Sequence, residues 1–201
     1  MIRKEKLEEL KLLIEELKVI DVRKKEVLQK DKFLQSISYD FVLNNGIILP
    51  REKLIKGSKD GGAAIILPFV SESEVLMVVE PRVFTDLTVG VGFPAGYIEN
   101  GEDASICALR ELREETGYVP REMKLIDSFY QDEGVSAAIN YIFLAYNCEK
   151  KYTQQLDNDE FIKYMTIKYD ELFELERLGY INGGNAKLAL EKSKKYILKG
   201  R

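Results

Sequence analysis

The order of patterns along this sequence predicts an α/β domain with a mixed sheet lying between helices. Three observations carry that prediction. Two strand-like runs flank Asn44-Asn45-Gly46, a tight-turn signal. Two short apolar runs, 64–69 and 75–79, are apolar enough for burial on both faces. A helix signal at 103–116 then interrupts the strands, which resume before the chain closes on two more helices.

Residues 3–20 read as an amphipathic helix, with Leu7, Leu10, Ile14 and Leu17 at three- and four-residue steps between Lys and Glu. This predicts a helical arm over 1–35, packed on its own domain or offered to a partner. A domain over 36–201 follows and includes its own N-terminal strands. Tyr39 to Leu43 and Ile47 to Leu54 form its expected first hairpin. Ser71-Glu72-Ser73 separates the two apolar strands, and a glycine-broken stretch, 89–96, leads to the helix from Asp103 to Thr116. Gly117 stops that helix in the position a C-cap favours. Lys124 to Tyr130 and Ile139 to Tyr146 read as strands around a polar loop, and Phe161 to Ile167 as a further strand. Tyr169 to Leu178 and Asn185 to Leu198 read as helices joined across Gly179 to Gly184.

Composition narrows the function. At 201 residues, 45% hydrophobic and 32% charged, the chain suits one well-cored domain plus an arm. A net charge of −4 supplies no basic field, so neither nucleic acid nor an anionic membrane is expected as a partner. The opening MIRKEKLEELK is too charged for the core of a signal peptide. Ala63 to Val70, interrupted by Pro68, is too short to cross a bilayer. Cys107 and Cys148 show no pairing pattern and are expected as reduced, buried thiols of a cytoplasmic protein. The absence of histidine decides more. It removes Ser-His-Asp and Cys-His hydrolase designs, histidine bases and histidine-held zinc. Chemistry is left to carboxylates, Tyr, Lys and Arg, or to a metal held by oxygen, which favours Mg2+ or Mn2+.

The predicted helix carries a candidate for that metal. Glu111, Glu114 and Glu115 are related by steps of three and four, so their carboxylates share one face. Ile106, Leu109 and Leu112 offer an apolar stripe for packing on the sheet. Alone, such a face is more often an acidic surface, with Arg110 and Glu114 as an i,i+4 pair. The wider spacing changes this. Gly96, Glu102, Arg110, Glu111, Leu112, Glu114, Glu115, Gly117 and Tyr118 match the pattern G-x5-E-x7-R-E-U-x-E-E-x-G-U, with U bulky and apolar. All nine defined positions over 23 residues agree, and the segment is identified as the signature box of the Nudix hydrolases.

The resemblance implies a Nudix-type α/β/α sandwich, here preceded by an N-terminal helix and antiparallel strands. It implies metal ligation by Glu111 and Glu115, aided by Glu114, with the backbone carbonyl of Ala95 as a further ligand. It also implies a charge-assisted tie between Glu102 and Arg110. Gly96 and Gly117 would supply backbone geometry that a side chain would obstruct.

Outside the box, residues 40–195 resemble the ADP-ribose pyrophosphatase branch. The resemblance runs through Arg51-Glu52, the strand 62–69, Glu80-Pro81-Arg82, Phe93-Pro94-Ala95-Gly96, the loop 130–136 and the acidic turn 157–161. It implies that Arg82 and Arg51 bind phosphate or ribose and that Phe41 or Tyr130 stacks on a base. The branch's loop glutamate is missing, since Ala137 and Ala138 stand near its place. Asp132 and Glu133 are the nearest carboxylates, and Glu133 joins Glu114, Glu115 and Arg110 as a catalytic candidate. The branch pairs as a dimer through its N-terminal sheet, a use that 39–54 would fit. The expected function is Mg2+-dependent hydrolysis of a nucleoside diphosphate linked to another moiety, foremost ADP-ribose to AMP and ribose 5-phosphate. A different nucleotide substrate, such as a dinucleotide, coenzyme A or a damaged nucleotide, and a non-hydrolysing nucleotide sensor are the alternatives.

Overall fold

The computed structural model describes residues 19–27, 33–57, 59–82, 84–85, 88–158 and 160–197. Strand β1 (Val19–Val27) pairs antiparallel with β2 (Leu34–Leu43), which turns through Asn44–Gly46 into β3 (Ile48–Lys56). Gly46 sits at φ 85°, the left-handed geometry this turn requires. The strand at 19–27 departs from the helical arm expected over 1–35. Val19, Ile20, Val22 and Val27 are β-branched, and registers such as Val22 with Phe41 give them a sheet edge to extend. Of the helix expected over 3–20, residues 19 and 20 belong to this strand and 3–18 lie outside the described residues.

The central layer is a four-stranded mixed sheet. Strand β4 (Ala63–Pro68) is followed by β5 (Glu74–Pro81), β6 (Val89–Gly92) and β7 (Ala95–Tyr97), then by helix α1 (Ala104–Thr116) and the short β8 (Tyr118–Val119). Next come β9 (Glu122–Tyr130), β10 (Ile139–Tyr146), β11 (Glu149–Lys150) and β12 (Lys163–Lys168), and finally α2 (Tyr169–Arg177) and α3 (Gly184–Ile197). The order is β7-β4-β10-β9, with β4 and β10 parallel and the outer pairs antiparallel. A second sheet, β12-β5-β6, is antiparallel throughout, and β11 pairs with β8.

Strand alternation builds two cores from one strand pair. Ile65 and Leu67 on β4, with Ile142 and Leu144 on β10, face Ala186, Ala189 and Leu190 of α3. Their neighbours Ala64, Ile66, Phe143 and Ala145 face Cys107, Ala108 and Leu112 of α1. The mixed sheet therefore lies between α1 and α3, the α/β/α sandwich expected. Each fully buried Leu or Ile contributes on the order of 1.5–3 kcal/mol.

Helix α1 is turned from the expected orientation. Ile106 is 56% exposed and Leu109 39%, whereas Cys107, Ala108, Leu112 and Thr116 are fully buried and Glu111 and Glu115 nearly so. Small side chains at 107 and 108 let the helix approach the sheet, and this rotation carries two carboxylates inward. Asp103 caps the helix by accepting from Ser105 N–H at 2.8 Å, and Gly117, at φ 78°, donates to Arg113 O at 2.7 Å. Both cysteines are free and buried. No helix among the described residues is long and apolar enough to cross a membrane.

Two outcomes are expected. A Cβ at Gly117 would lie 2.1 Å from the Tyr152 carbonyl oxygen, a backbone atom that cannot give way. Gly117→Ala should therefore lose more than about 2 kcal/mol in urea denaturation, and a wild-type midpoint would contradict this. Burial pushes both thiols up to about 12. Their thiolate share at pH 8 is then on the order of 10⁻⁴. An aromatic disulfide reagent should leave both untouched in the native protein and titrate both after denaturation.

Candidate active site

The site grows from the backbone of β7. A Cβ on Gly96 would lie 1.9 Å from Glu111 Oε1, so the missing side chain makes the room in which that carboxylate rests. One helical turn further, Glu115 is only 4% exposed. The Ala95 N–H donates to its carboxylate, yet Oε2 has no hydrogen-bond partner. Burial is the main cause that raises the Glu111 carboxyl to about 7, and Glu114 and Glu160 add to it against the opposing pull of Arg110. Burial also holds Glu115 well above the usual carboxylate range, reinforced by Glu111, Glu80 and Glu160.

Arg110 ties the loop to the helix. Its Nε and Nη2 donate to the two oxygens of Glu102 at 2.9 and 3.0 Å, and Nη2 also reaches Tyr97 O at 3.1 Å. Its Nη1 donates to Glu111 Oε1 at 2.6 Å and to Glu114 Oε2 at 3.3 Å. Glu102 in turn accepts from Glu99 N–H, and its carboxyl lies below the usual range because of the Arg110 bond. The expected Glu102–Arg110 tie is thus a bidentate charge-assisted pair. Glu114 points elsewhere, toward Arg110 and Arg113.

A cleft with two lobes opens over these groups. The acidic lobe, about 410 Å³, is lined by Glu80, Glu99, Glu111, Glu115, Asp157 and Glu160 against Arg82 and Arg110. The second lobe, about 390 Å³, runs between β6 and the start of α3, and the two share Glu80, Arg82 and Ala95. Arg82 stands at the junction, ion-paired to Glu80 at 2.6 Å. Its stem crosses Gly90, where a Cβ would meet it at 2.6 Å.

Of the residues singled out from sequence, Ala95, Glu111, Glu115, Arg110 and Arg82 meet at this cleft. Glu133 lies on the exposed turn after Asp132 and lines neither lobe. Tyr130, 57% exposed at the end of β9, also lines neither, although Gln131 beside it lines the second lobe. Phe41 packs its ring on Tyr39, 5.7 Å away, on the N-terminal sheet. Arg51 donates to Pro50 O and lines a separate shallow cavity with Ser38 and Tyr39.

Four carboxylates of the acidic lobe, Glu80, Glu99, Asp157 and Glu160, are not assigned to the site by sequence. Glu80 ends β5, and the register of Val79 with Lys163 brings Glu160, just before β12, to the same end of that sheet. An acid beside Arg82 and an acidic turn were both visible in the sequence, but only the strand pairing joins them.

Among the described residues no three Cys, Asp or Glu side chains are already gathered as a metal cage. The donors nonetheless suit a hard divalent cation: two buried carboxylates, one with an unpartnered oxygen, beside the Ala95 backbone.

Comparison with known proteins agrees with this architecture. A family model described as NUDIX domain matches residues 59–188. The chain is 34% identical over 154 residues to the ADP-ribose pyrophosphatase of Bacillus subtilis (strain 168), across 75% of this chain and 80% of that protein. It is 26% identical over 183 residues to a GDP-mannose pyrophosphatase of Enterobacter sp. (strain 638), across 86% and 93% of the two chains. A crystal structure of an ADP compounds hydrolase superposes with a TM-score of 0.73 at 21% identity, covering 92% of this chain and 95% of the other, and shows the same fold. The chain belongs to the Nudix family. Its enzyme class is that of a Nudix pyrophosphohydrolase.

The obstacle to a side chain at Gly96 is the far end of a flexible glutamate. Gly96→Ala should therefore keep the fold, with melting within about 3 °C of wild type, while Mn2+ affinity falls at least about tenfold. Thermal melts and a spin-resonance titration of Mn2+ check both halves, and unchanged Mn2+ affinity would contradict the role given to Glu111.

Proposed function

We propose that this protein is a Mg2+-dependent hydrolase of a nucleoside diphosphate joined to a second moiety, with ADP-ribose as the substrate. The observation that carries the reading is the meeting of the buried pair Glu111 and Glu115 with Arg82 in one cleft. The likeness to an ADP-ribose pyrophosphatase at 34% identity supports that substrate above GDP-mannose, whose pyrophosphatase stands at 26%. GDP-mannose is the second reading, because that relative aligns across 93% of its length.

Glu111, Glu115 and the Ala95 carbonyl would hold the metal, with Glu114 joining them by leaving Arg110 and Arg113. When bound, Mg2+ or Mn2+ neutralises the diphosphate and makes water more acidic. Arg82 binds a diphosphate oxygen, and Arg110 is a positioning residue that fixes Glu111 and the loop. In the reaction, a water oxygen bonds to one phosphorus and the bond from that phosphorus to the bridging oxygen breaks. The bridging oxygen leaves with the other phosphate, giving AMP and ribose 5-phosphate. Glu160 takes the proton of the attacking water, because it is an exposed carboxylate lining the acidic lobe. In this reading it replaces Glu133, which lines neither lobe.

Phe41 and Arg51 lie on the N-terminal sheet and line neither lobe, so the same proposal has them serve the cleft of a second copy in a homodimer. A cytoplasmic setting, with no nucleic-acid or membrane partner, completes it.

A panel of diphosphates, read by phosphate release after phosphatase coupling, should show ADP-ribose cleaved with kcat/KM at least about tenfold above GDP-mannose. No turnover on the panel, with ADP-ribose still raising the melting temperature, would make the protein a sensor instead. Glu160→Gln should lower kcat by about 10²–10⁴ with little change in KM, and Glu133→Gln should stay within about twofold of wild type. Full activity in Glu160→Gln would overturn its role as base.

A further inference from the structure

We infer that the lobe between β6 and α3 receives the sugar beyond the diphosphate, and that it admits an uncharged sugar in preference to one bearing its own phosphate. This rests on the diphosphate reading above.

The two lobes differ in charge and share a junction. Among the described residues, the only charged groups lining the second lobe are Glu80 and Arg82, and they neutralise each other at 2.6 Å. The rest of its polar lining is neutral: Thr85, Gln131, Asn182 and Asn185. These are hydroxyl and amide groups, able both to donate to and to accept from sugar hydroxyls. Among the described residues the only ring in the lining, Phe93, is 4% exposed, so none of them opens an aromatic face for stacking a base.

The amides are held in place. Asn140, completely buried, accepts from Ala63 N–H at 3.2 Å and donates through Nδ2 to Asn185 Oδ1 at 3.1 Å. One buried side chain thereby links β4, β10 and α3, and it fixes which end of Asn185 is already engaged. Gln131 is likewise anchored through its carbonyl, which accepts from Lys56 Nζ.

A terminal phosphate would bring about two negative charges into a space whose single guanidinium already has a carboxylate partner, next to an acid-lined lobe. A neutral sugar meets no such penalty. Glu80 is thus a specificity-determining residue: it occupies Arg82 and denies it to a second anion.

The test compares ADP-ribose with its analogue phosphorylated on the terminal ribose. Wild type should favour ADP-ribose by about tenfold or more in kcat/KM, mainly through KM, and Glu80→Gln should narrow the ratio to within about threefold by freeing Arg82. Asn182→Ala should raise KM for ADP-ribose with a smaller effect on kcat. The same preference is read from binding, by calorimetric titration of both compounds into the Glu160→Gln protein. No turnover with a retained tenfold binding preference sinks the hydrolase reading alone. Turnover with equal affinities, or a ratio unmoved by Glu80→Gln, overturns the lobe assignment.

Discussion

The molecule is organised around a carboxylate that has been taken out of water without full compensation. Glu115 is 4% exposed, and one of its oxygens has no partner. Glu111, Glu80 and Glu160 all raise its carboxyl further. Leaving a buried acceptor unsatisfied costs about 1–3 kcal/mol, and more when the group is charged. A fold that builds such a place opposes its own stability there, so the arrangement makes physical sense when a cation completes it. The neighbouring features follow. Gly96 keeps the floor clear for Glu111, and Arg110 clamps the loop while touching the same carboxylate.

The sandwich exists to hold that helix at a fixed height over β7. Strand β4 is buried on both faces, with Ile65 and Leu67 serving one core and Ala64 and Ile66 the other. Cys107 and Ala108 set the distance of α1 from the sheet by being small. The opposite core seats α3, whose first turn walls the second lobe. One parallel strand pair therefore positions the acidic lobe from one face and the neutral lobe from the other.

Much of this was legible in the sequence, because the period-2 and helical patterns are local. The hairpin around Asn44-Asn45-Gly46, the strands β4, β9 and β10 of the central sheet and the cap at Gly117 lie where residue pattern predicts them, whereas β7 emerges from the glycine-broken stretch 89–96 only through its pairing with β4. The spacing from Gly96 to Tyr118 marked the loop and helix together. What stayed hidden depends on contacts between distant segments. Residues 19–27 become a strand because β2 offers them an edge. The rotation of α1 exposes Ile106 and Leu109, although their hydrophobicity alone favoured burial. Glu80 and Glu160 are 80 positions apart, and only the pairing of β5 with β12 brings them to one cleft. Glu133 carried the right chemistry in the right loop, but that turn points its acid to solvent.

A divalent cation is expected to relieve the buried carboxylate pair. The most direct test is the melting temperature of wild type and Glu115→Gln, measured near neutral pH as Mg2+ is raised. Wild type should gain several degrees by about 10 mM Mg2+. Glu115→Gln, free of the cost of burying an ionisable carboxyl, should melt at or above metal-free wild type and gain little from the cation. A wild-type melting temperature indifferent to Mg2+, or a variant that melts well below metal-free wild type, would contradict it.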